Sequence, residues 1–309
     1  MNKWMKDGIY TLAIGDALGC PVQFESREEV ARHPVDDMRG YGTFNLPEGS
    51  WTDDTSLTLC TLASIRECGT IDPDDIMKHF MQWMYEGKYT PYGFSYDIGF
   101  GTQNAIGAYK RGADIHHCGG KEAHNNGNGS LMRILPVCIF CTEKEMSDEE
   151  MIHNVHMISA LTHAHPRSLT ACGLYAFMVR SLIRNEGSLI ERLQAGIDEG
   201  FAYYEGKHEP EIRTYQRIRN LSEFVKTPEN EIKSSGYVLH ALEAALWCLI
   251  TENNLKDSLL KAVNLGEDTD TTAAIAGGLA GLYYGMEAIP ENWLEALKKR
   301  ELFEELLAA

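Results

Sequence analysis

The chain has 309 residues, 44% of them apolar and 24% charged, a balance that excludes a disordered segment, a collagen-like repeat and a disulfide scaffold. Its 28 Lys and Arg stand against 45 Asp and Glu, a formal net charge of -17. With no Lys/Arg cluster to release counterions, nucleic acid is not expected as a partner. The length would allow two domains at roughly 150 residues each, but no Pro- or Ser-rich linker or like-charge block divides the chain, so one domain over residues 1–309 is expected.

The opening segment, MNKWMKDGIYTLAIGDALG, does not read as a signal peptide, because an Asp interrupts its apolar run. Residues 54–67 place Leu57, Cys60, Leu62 and Ile65 near one helical face, with Asp53 and Asp54 in the first turn, where acids are favoured. Residues 73–86 open on Pro and two acids and repeat Ile76, Phe80, Trp83 and Met84 at helical spacing. Helices are also expected over 148–161, 166–184, 236–251, 255–265, 271–285 and 290–307, and in LMRILPVCIF. Strand signals are thin, so the fold class is all-α. Residues 201–235 are the most polar and read as an exposed helical excursion. No stretch approaches the ~18 apolar residues of a membrane span, and no membrane is expected. The cysteines, most of them inside apolar runs, suit a reduced, cytoplasmic protein. Cys138 and Cys141 are formally C-x-x-C, but they lie in ILPVCIFC and read as core packing.

Polar, Gly-rich loops over 40–54, 88–101 and 119–130 are the places to look for a site. The first ends in Trp51-Thr52-Asp53-Asp54-Thr55, a cluster of hard oxygen donors of the kind Mg²⁺ takes. The same residues also suit a capped helix start. The pattern returns at Gly266-Glu267-Asp268-Thr269-Asp270-Thr271-Thr272, again before a helix, AAIAGGLAGLYYG, whose small residues would admit a close neighbour. A helix cap needs one such residue, so two clusters of this richness exceed capping. If the two helix starts face each other, their carboxylates repel unless cations lie between them. A third segment, Asn125-Asn126-Gly127-Asn128-Gly129-Ser130, can aim backbone N–H groups at an anion, or be a plain turn. His163, before Pro166, suits a site or a cap.

Read together, the segments AIGDALG, GSWTDDTSL, DIGFGT, GNGSLMR, ALTHAHP and GEDTDTTAAIAGGLAGLYYG, in this order, resemble the ADP-ribosylglycohydrolase family over nearly the whole chain. The resemblance implies a compact bundle of about a dozen helices with a dinuclear Mg²⁺ site, Mn²⁺ being an alternative, in a cleft. It implies Thr52, Asp53, Asp54, Asp268, Asp270 and Thr271 as ligands. It implies hydrolysis of the bond at the anomeric carbon of the distal ribose of ADP-ribose, with Asp97 as the acid/base group and Glu25 as a second candidate for activating water. Asn125, Asn126, Gly127, Asn128, Gly129, Ser130 and His163 would bind substrate. Asn125 and Asn126 stand where serine-specific relatives carry Ser and an aromatic residue, which points to arginine-linked ADP-ribose. The partner would be an ADP-ribosylated protein, and the chain a monomer. A small-molecule ADP-ribose conjugate and a non-catalytic binding role are the alternatives.

Overall fold

The computed structural model describes residues 3–308. Its α-helices are α1 (Lys3–Gly19), α2 (Arg27–Arg32), α3 (Asp53–Cys68), α4 (Pro73–Glu86), α5 (Phe100–Lys110), α6 (Leu135–Glu143), α7 (Asp148–Ala160), α8 (Pro166–Arg184), α9 (Leu189–Gly206), α10 (Leu221–Phe224), α11 (Val238–Thr251), α12 (Leu255–Asn264), α13 (Thr269–Tyr284), α14 (Glu291–Ala296) and α15 (Arg300–Leu307). No strand occurs among the described residues; there are only isolated bridges, Gly120 with His163 and Gly127 with Tyr237. The all-α expectation holds, with more and shorter helices than expected.

Helix α4 shows how local chemistry sets an end. Asp72 caps it by accepting from the Asp74 and Asp75 N–H groups, Pro73 sits in the first turn, and Gly87 closes it at φ 70°. Helices α7 and α9 each start on a reciprocal capping box, Ser147 with Glu150 and Ser188 with Glu191.

The centre of the molecule is built differently. Helices α1, α3 and α13 are buried on nearly every side. Sparse apolar stripes would not suit that position, and small residues do. A Cβ added to Gly15 would lie 2.2 Å from the Ala273 carbonyl oxygen, and one on Gly277 2.3 Å from that of Thr11. The α1 and α13 backbones therefore touch directly, and the small-residue run in α13 serves the close approach expected of it. At the same crossing Thr269 Oγ1 donates to the Gly19 carbonyl at 2.8 Å, which sets the start of α13 against the end of α1.

Two stretches differ from expectation. The segment 290–307 is two helices, α14 and α15, because the chain breaks to serve another loop. Lys298 N–H bonds the Gly49 carbonyl, Trp51 Nε1 bonds the Lys298 carbonyl, and Lys299 turns at φ 58°. The polar stretch 201–235 begins inside α9, and its 3₁₀ run Pro210–Ile218 buries Ile212, Tyr215 and Ile218. It is a packed strap rather than a free excursion. Cys138 and Cys141 lie buried and free in α6, as core packing requires. Among the described residues no helix is long and apolar enough to cross a membrane.

Candidate active site

The two acid-hydroxyl clusters meet. The Thr52 hydroxyl reaches both sides: it lies 3.3 Å from Asp54 Oδ2 and 3.3 Å from Asp270 Oδ2. Thr271 Oγ1 donates to Asp54 Oδ2 at 3.3 Å, and Asn128 Nδ2 donates to Asp268 Oδ2 at 2.7 Å. Asp53, Asp54, Asp270 and Thr271 are buried at the facing starts of α3 and α13.

Beneath them lies Asp16 of α1, fully buried. Its carboxylate accepts from the Thr52 and Thr55 backbone N–H groups at 2.9 to 3.0 Å and from the Thr52 and Thr55 hydroxyls at 3.0 and 2.6 Å. One helix thus supplies the N-terminal anchor of another and sets where Thr52 and the adjacent carboxylates point. Asp16 was not singled out from the sequence as a site residue. Its signal was present all the same: an acid in the apolar run AIGDALG has no place in a buried helix unless its oxygens are used.

The electrostatics are strained. Burial pushes the Asp16 carboxyl up to about 7, against four hydrogen bonds that hold it down. Asp53, Asp54 and Asp270 are pushed well above the usual carboxylate range, first by burial and then by neighbouring carboxylates, Asp97 and Asp16 acting on all three. Asp54 Oδ1, Asp270 Oδ1 and Asp97 Oδ2 are buried without a hydrogen-bond partner. Orphaned acceptors among repelling carboxylates, all with hard oxygen donors, fit a divalent cation of the Mg²⁺ type.

A cleft of about 420 Å³ opens above these residues. Asp53, Asp97, Asp268 and Thr271 line it, with Gln23, Gly99, Thr102, Asn125, Gly127, Asn128, Gly129 and His163. Asp97 holds a left-handed backbone, φ 53°, an uncommon conformation outside glycine that marks a constrained position. Burial raises its carboxyl to about 6. Glu25 is half-buried, and the cleft wall runs through its neighbours Gln23 and Phe24. Its main chain is pinned to the start of α13, where Glu267 N–H bonds the Glu25 carbonyl at 2.6 Å and Phe24 N–H bonds the Glu267 carbonyl at 2.7 Å.

The Asn/Gly loop divides by role. Gly127 and Gly129 face His163, and a Cβ on Gly129 would stand 2.8 Å from its Cε1, so the wall requires glycine there. Asn126 is buried away from the cleft lining; its side chain bonds the Ala123 carbonyl and accepts from Ser168. Ser130 is also buried and accepts from the Ser159 hydroxyl at 2.8 Å. The Asn125 side chain accepts from the Glu122 N–H at 3.2 Å. Arg133, fully buried over the Phe80 ring, ties the loop down: it bonds the Gly129 carbonyl and the Thr162 hydroxyl, both at 2.7 Å. Thr162 Oγ1 in turn pairs with His163 Nδ1 at 2.7 Å. Burial, with Arg133 adding to it, drops His163 to about 3, so the imidazole is neutral and bonds as such. Two rings stand exposed at the rim, Phe24 and Phe100, 67% and 76% accessible.

The comparisons with known proteins agree with this architecture. The model of the ADP-ribosylglycohydrolase family matches residues 5–309. An ADP-ribosylarginine hydrolase, Tri1, of Serratia proteamaculans is 33% identical over 297 residues, covering 96% of this chain and 75% of the relative. An ADP-ribosyl-[dinitrogen reductase] glycohydrolase of Rhodospirillum rubrum is 31% identical, covering 93% and 87%. Among solved structures, an ADP-ribosylglycohydrolase-related protein complex superposes with a TM-score of 0.77 at 31% identity, covering 98% of this chain and 95% of that one. The joined helix starts, the cleft above them and these likenesses over nearly the whole length have one reading: the chain belongs to the ADP-ribosylglycohydrolase family of enzymes.

Proposed function

We propose that this enzyme removes ADP-ribose from arginine side chains of modified proteins by hydrolysing the glycosidic bond at the distal ribose. The observation that carries the reading is the set of buried carboxylates at the facing starts of α3 and α13, with orphaned oxygens and a cleft directly above. The relatives named for ADP-ribosylarginine support the linkage. So does charge: a guanidinium cation is favoured beside Asp97, the cleft carboxylate outside the proposed ligand set, whereas a neutral serine ether gains nothing from it.

Thr52, Asp53, Asp54, Asp268, Asp270 and Thr271 would hold two Mg²⁺ or Mn²⁺ ions. Bound there, such ions orient ribose hydroxyls and lower the pKa of a water. The remaining work falls to the chain. The glycine wall at Gly127 and Gly129 lets a diphosphate approach the backbone closely, and the neutral His163 beside it offers a ring nitrogen without a charge. Phe24 and Phe100 offer open ring faces for a base to stack on. Asp97 accepts the proton of the attacking water as its oxygen bonds the anomeric carbon. The electrons of the broken carbon–nitrogen bond stay with the guanidine nitrogen, which takes up that proton from Asp97. Glu25, anchored beside α13, is the second candidate for the proton transfer.

The test is release of free ADP-ribose from arginine-ADP-ribosylated protein, with and without Mg²⁺, beside Asp53→Asn and Asp97→Asn. Metal-dependent release, abolished in the first variant and slowed about 10²–10⁴-fold in the second, is expected for loss of an acid/base group. Release from serine-linked or small-molecule ADP-ribose alone would overturn the arginine assignment. Full activity of Asp97→Asn would move the proton transfer to Glu25.

A further inference from the structure

A second group of metal-type donors lies far from the cleft. Glu67 at the end of α3 and Asp75 and His79 on α4 present ligand atoms that all fall within 4.8 Å of one another. Glu67 stands fourteen residues beyond Asp53, about 21 Å along α3 at 1.5 Å per residue. Nothing in the hydrolytic chemistry uses these residues.

The arrangement has the marks of a ligand set. Asp75 and His79 are one helical turn apart on one face of α4, and Glu67 reaches them from the neighbouring helix. His79 is 94% buried, with 6% of its surface accessible, and its Nε2 lies 3.4 Å from Asp75 Oδ2 and 3.5 Å from Glu67 Oε2. No hydrogen bond joins Nε2 to either oxygen, and Asp75 Oδ2 is buried without a hydrogen-bond partner. The Ser64 hydroxyl, likewise buried and short of a well-aligned partner, and the Cys68 thiol both lie beside the Asp75 carboxylate. A tetrahedral ion with bonds of about 2.1 Å sets neighbouring donors about 3.4 Å apart. An octahedral Mg²⁺ with similar bonds would set them about 3.0 Å apart and would not favour a nitrogen donor. The other ring nitrogen, Nδ1, is held by the Tyr89 hydroxyl at 2.8 Å, the outer-shell contact that orients a ligating imidazole.

From these contacts we infer that Glu67, Asp75 and His79 form a tetrahedral site for Zn²⁺ or a similar transition-metal ion. The fourth position is open to water on the Glu67 side, where the surface is exposed. The ion would clip the end of the α3–α4 pair next to the turn that joins them, while the other end of α3 carries Asp53 and Asp54.

The experiment is a Zn²⁺ titration against a chromophoric chelator, in excess Mg²⁺ to occupy the cleft, on the full chain with its native Cys68, whose thiol lies against the Asp75 carboxylate. One Zn²⁺ per chain is expected. Glu67→Gln, at an exposed position that folding tolerates, should weaken binding at least tenfold and His79→Gln more. Tyr89→Phe should cost about 10–100-fold. Co²⁺ in place of Zn²⁺ should show the intense visible bands of a four-coordinate ion, lost in Glu67→Gln. Zn²⁺ binding unchanged by both ligand variants, or no Zn²⁺ bound at micromolar concentrations, would overturn the site.

Discussion

Replacing Asp16 by Asn tests whether a carboxylate under the site, outside the proposed ligand set, holds it in shape. The change keeps the volume and alters only the acceptors. In the native protein both carboxylate oxygens accept, from the Thr52 and Thr55 N–H groups and from both hydroxyls. An amide keeps one acceptor and turns an NH₂ group toward donors, so about two hydrogen bonds to a charged acceptor are lost. At about 1.5–3 kcal/mol each that is a gross loss of about 3–6 kcal/mol. Part returns, because the neutral amide no longer repels Asp53, Asp54 and Asp270, and its own burial is cheaper. A net destabilisation of about 2–4 kcal/mol is expected in excess Mg²⁺, where cations offset the repulsion between Asp16 and the carboxylates above it, measured by urea unfolding followed by circular dichroism at pH 8. Thr55→Val, which removes one hydroxyl bond, should cost about 1–2 kcal/mol. Because Thr52 loses its anchor, turnover of Asp16→Asn should fall at least a hundredfold with the fold retained. An Asp16→Asn protein within about 0.5 kcal/mol of wild type and with normal turnover would refute the anchoring role.

Other outcomes follow from the same geometry. Because the folded pKa of Asp16, about 7, lies above the usual carboxylate value, the EDTA-treated protein binds more protons folded than unfolded. That stabilisation is complete below about pH 4 and is lost as pH rises through about 7, on the order of 4 kcal/mol for Asp16 alone. Excess Mg²⁺ should flatten the profile, whereas stability rising with pH between 4 and 7 in EDTA would contradict it. Gly277→Ala puts a methyl 2.3 Å from the Thr11 carbonyl oxygen and should cost at least about 1–3 kcal/mol, read from the urea midpoint. Arg133→Met strands the Gly129 carbonyl and the Thr162 hydroxyl, at about 1–3 kcal/mol each, and should destabilise by about 2–5 kcal/mol while raising KM; an unchanged KM would separate Arg133 from the substrate wall.

Much of this protein is legible without coordinates. Helical spacing, Pro and Gly punctuation and the Ser-x-x-Glu boxes determine most helices, since each depends on neighbours within a turn or two. The Thr52–Asp54 and Asp268–Thr271 clusters stand out because they exceed what a cap requires. Helix α9, over 189–206, escaped the periodicity reading, and the break at 297–299 lies inside an otherwise continuous helical pattern. That break exists because Lys298 serves Gly49 and Trp51, which lie far away in sequence.

Only the tertiary structure decided the division of labour within the motifs. The loop residues Asn126 and Ser130 belong to the scaffold, while Gly127 and Gly129 line the cleft, a difference set by which side of the chain meets α7, α8 and His163. Asp16 and Arg133 are one charge each in apolar surroundings, and the Thr52, Thr55 and Thr162 groups they bond come from segments 29 to 39 residues away, whereas Glu67 meets Asp75 and His79 across the short turn between α3 and α4. Local sequence determines which residues can form a helix or offer an oxygen. Where the oxygens converge depends on α1 and α13 lying backbone to backbone, a contact that glycine permits from both sides and that neither segment can specify alone.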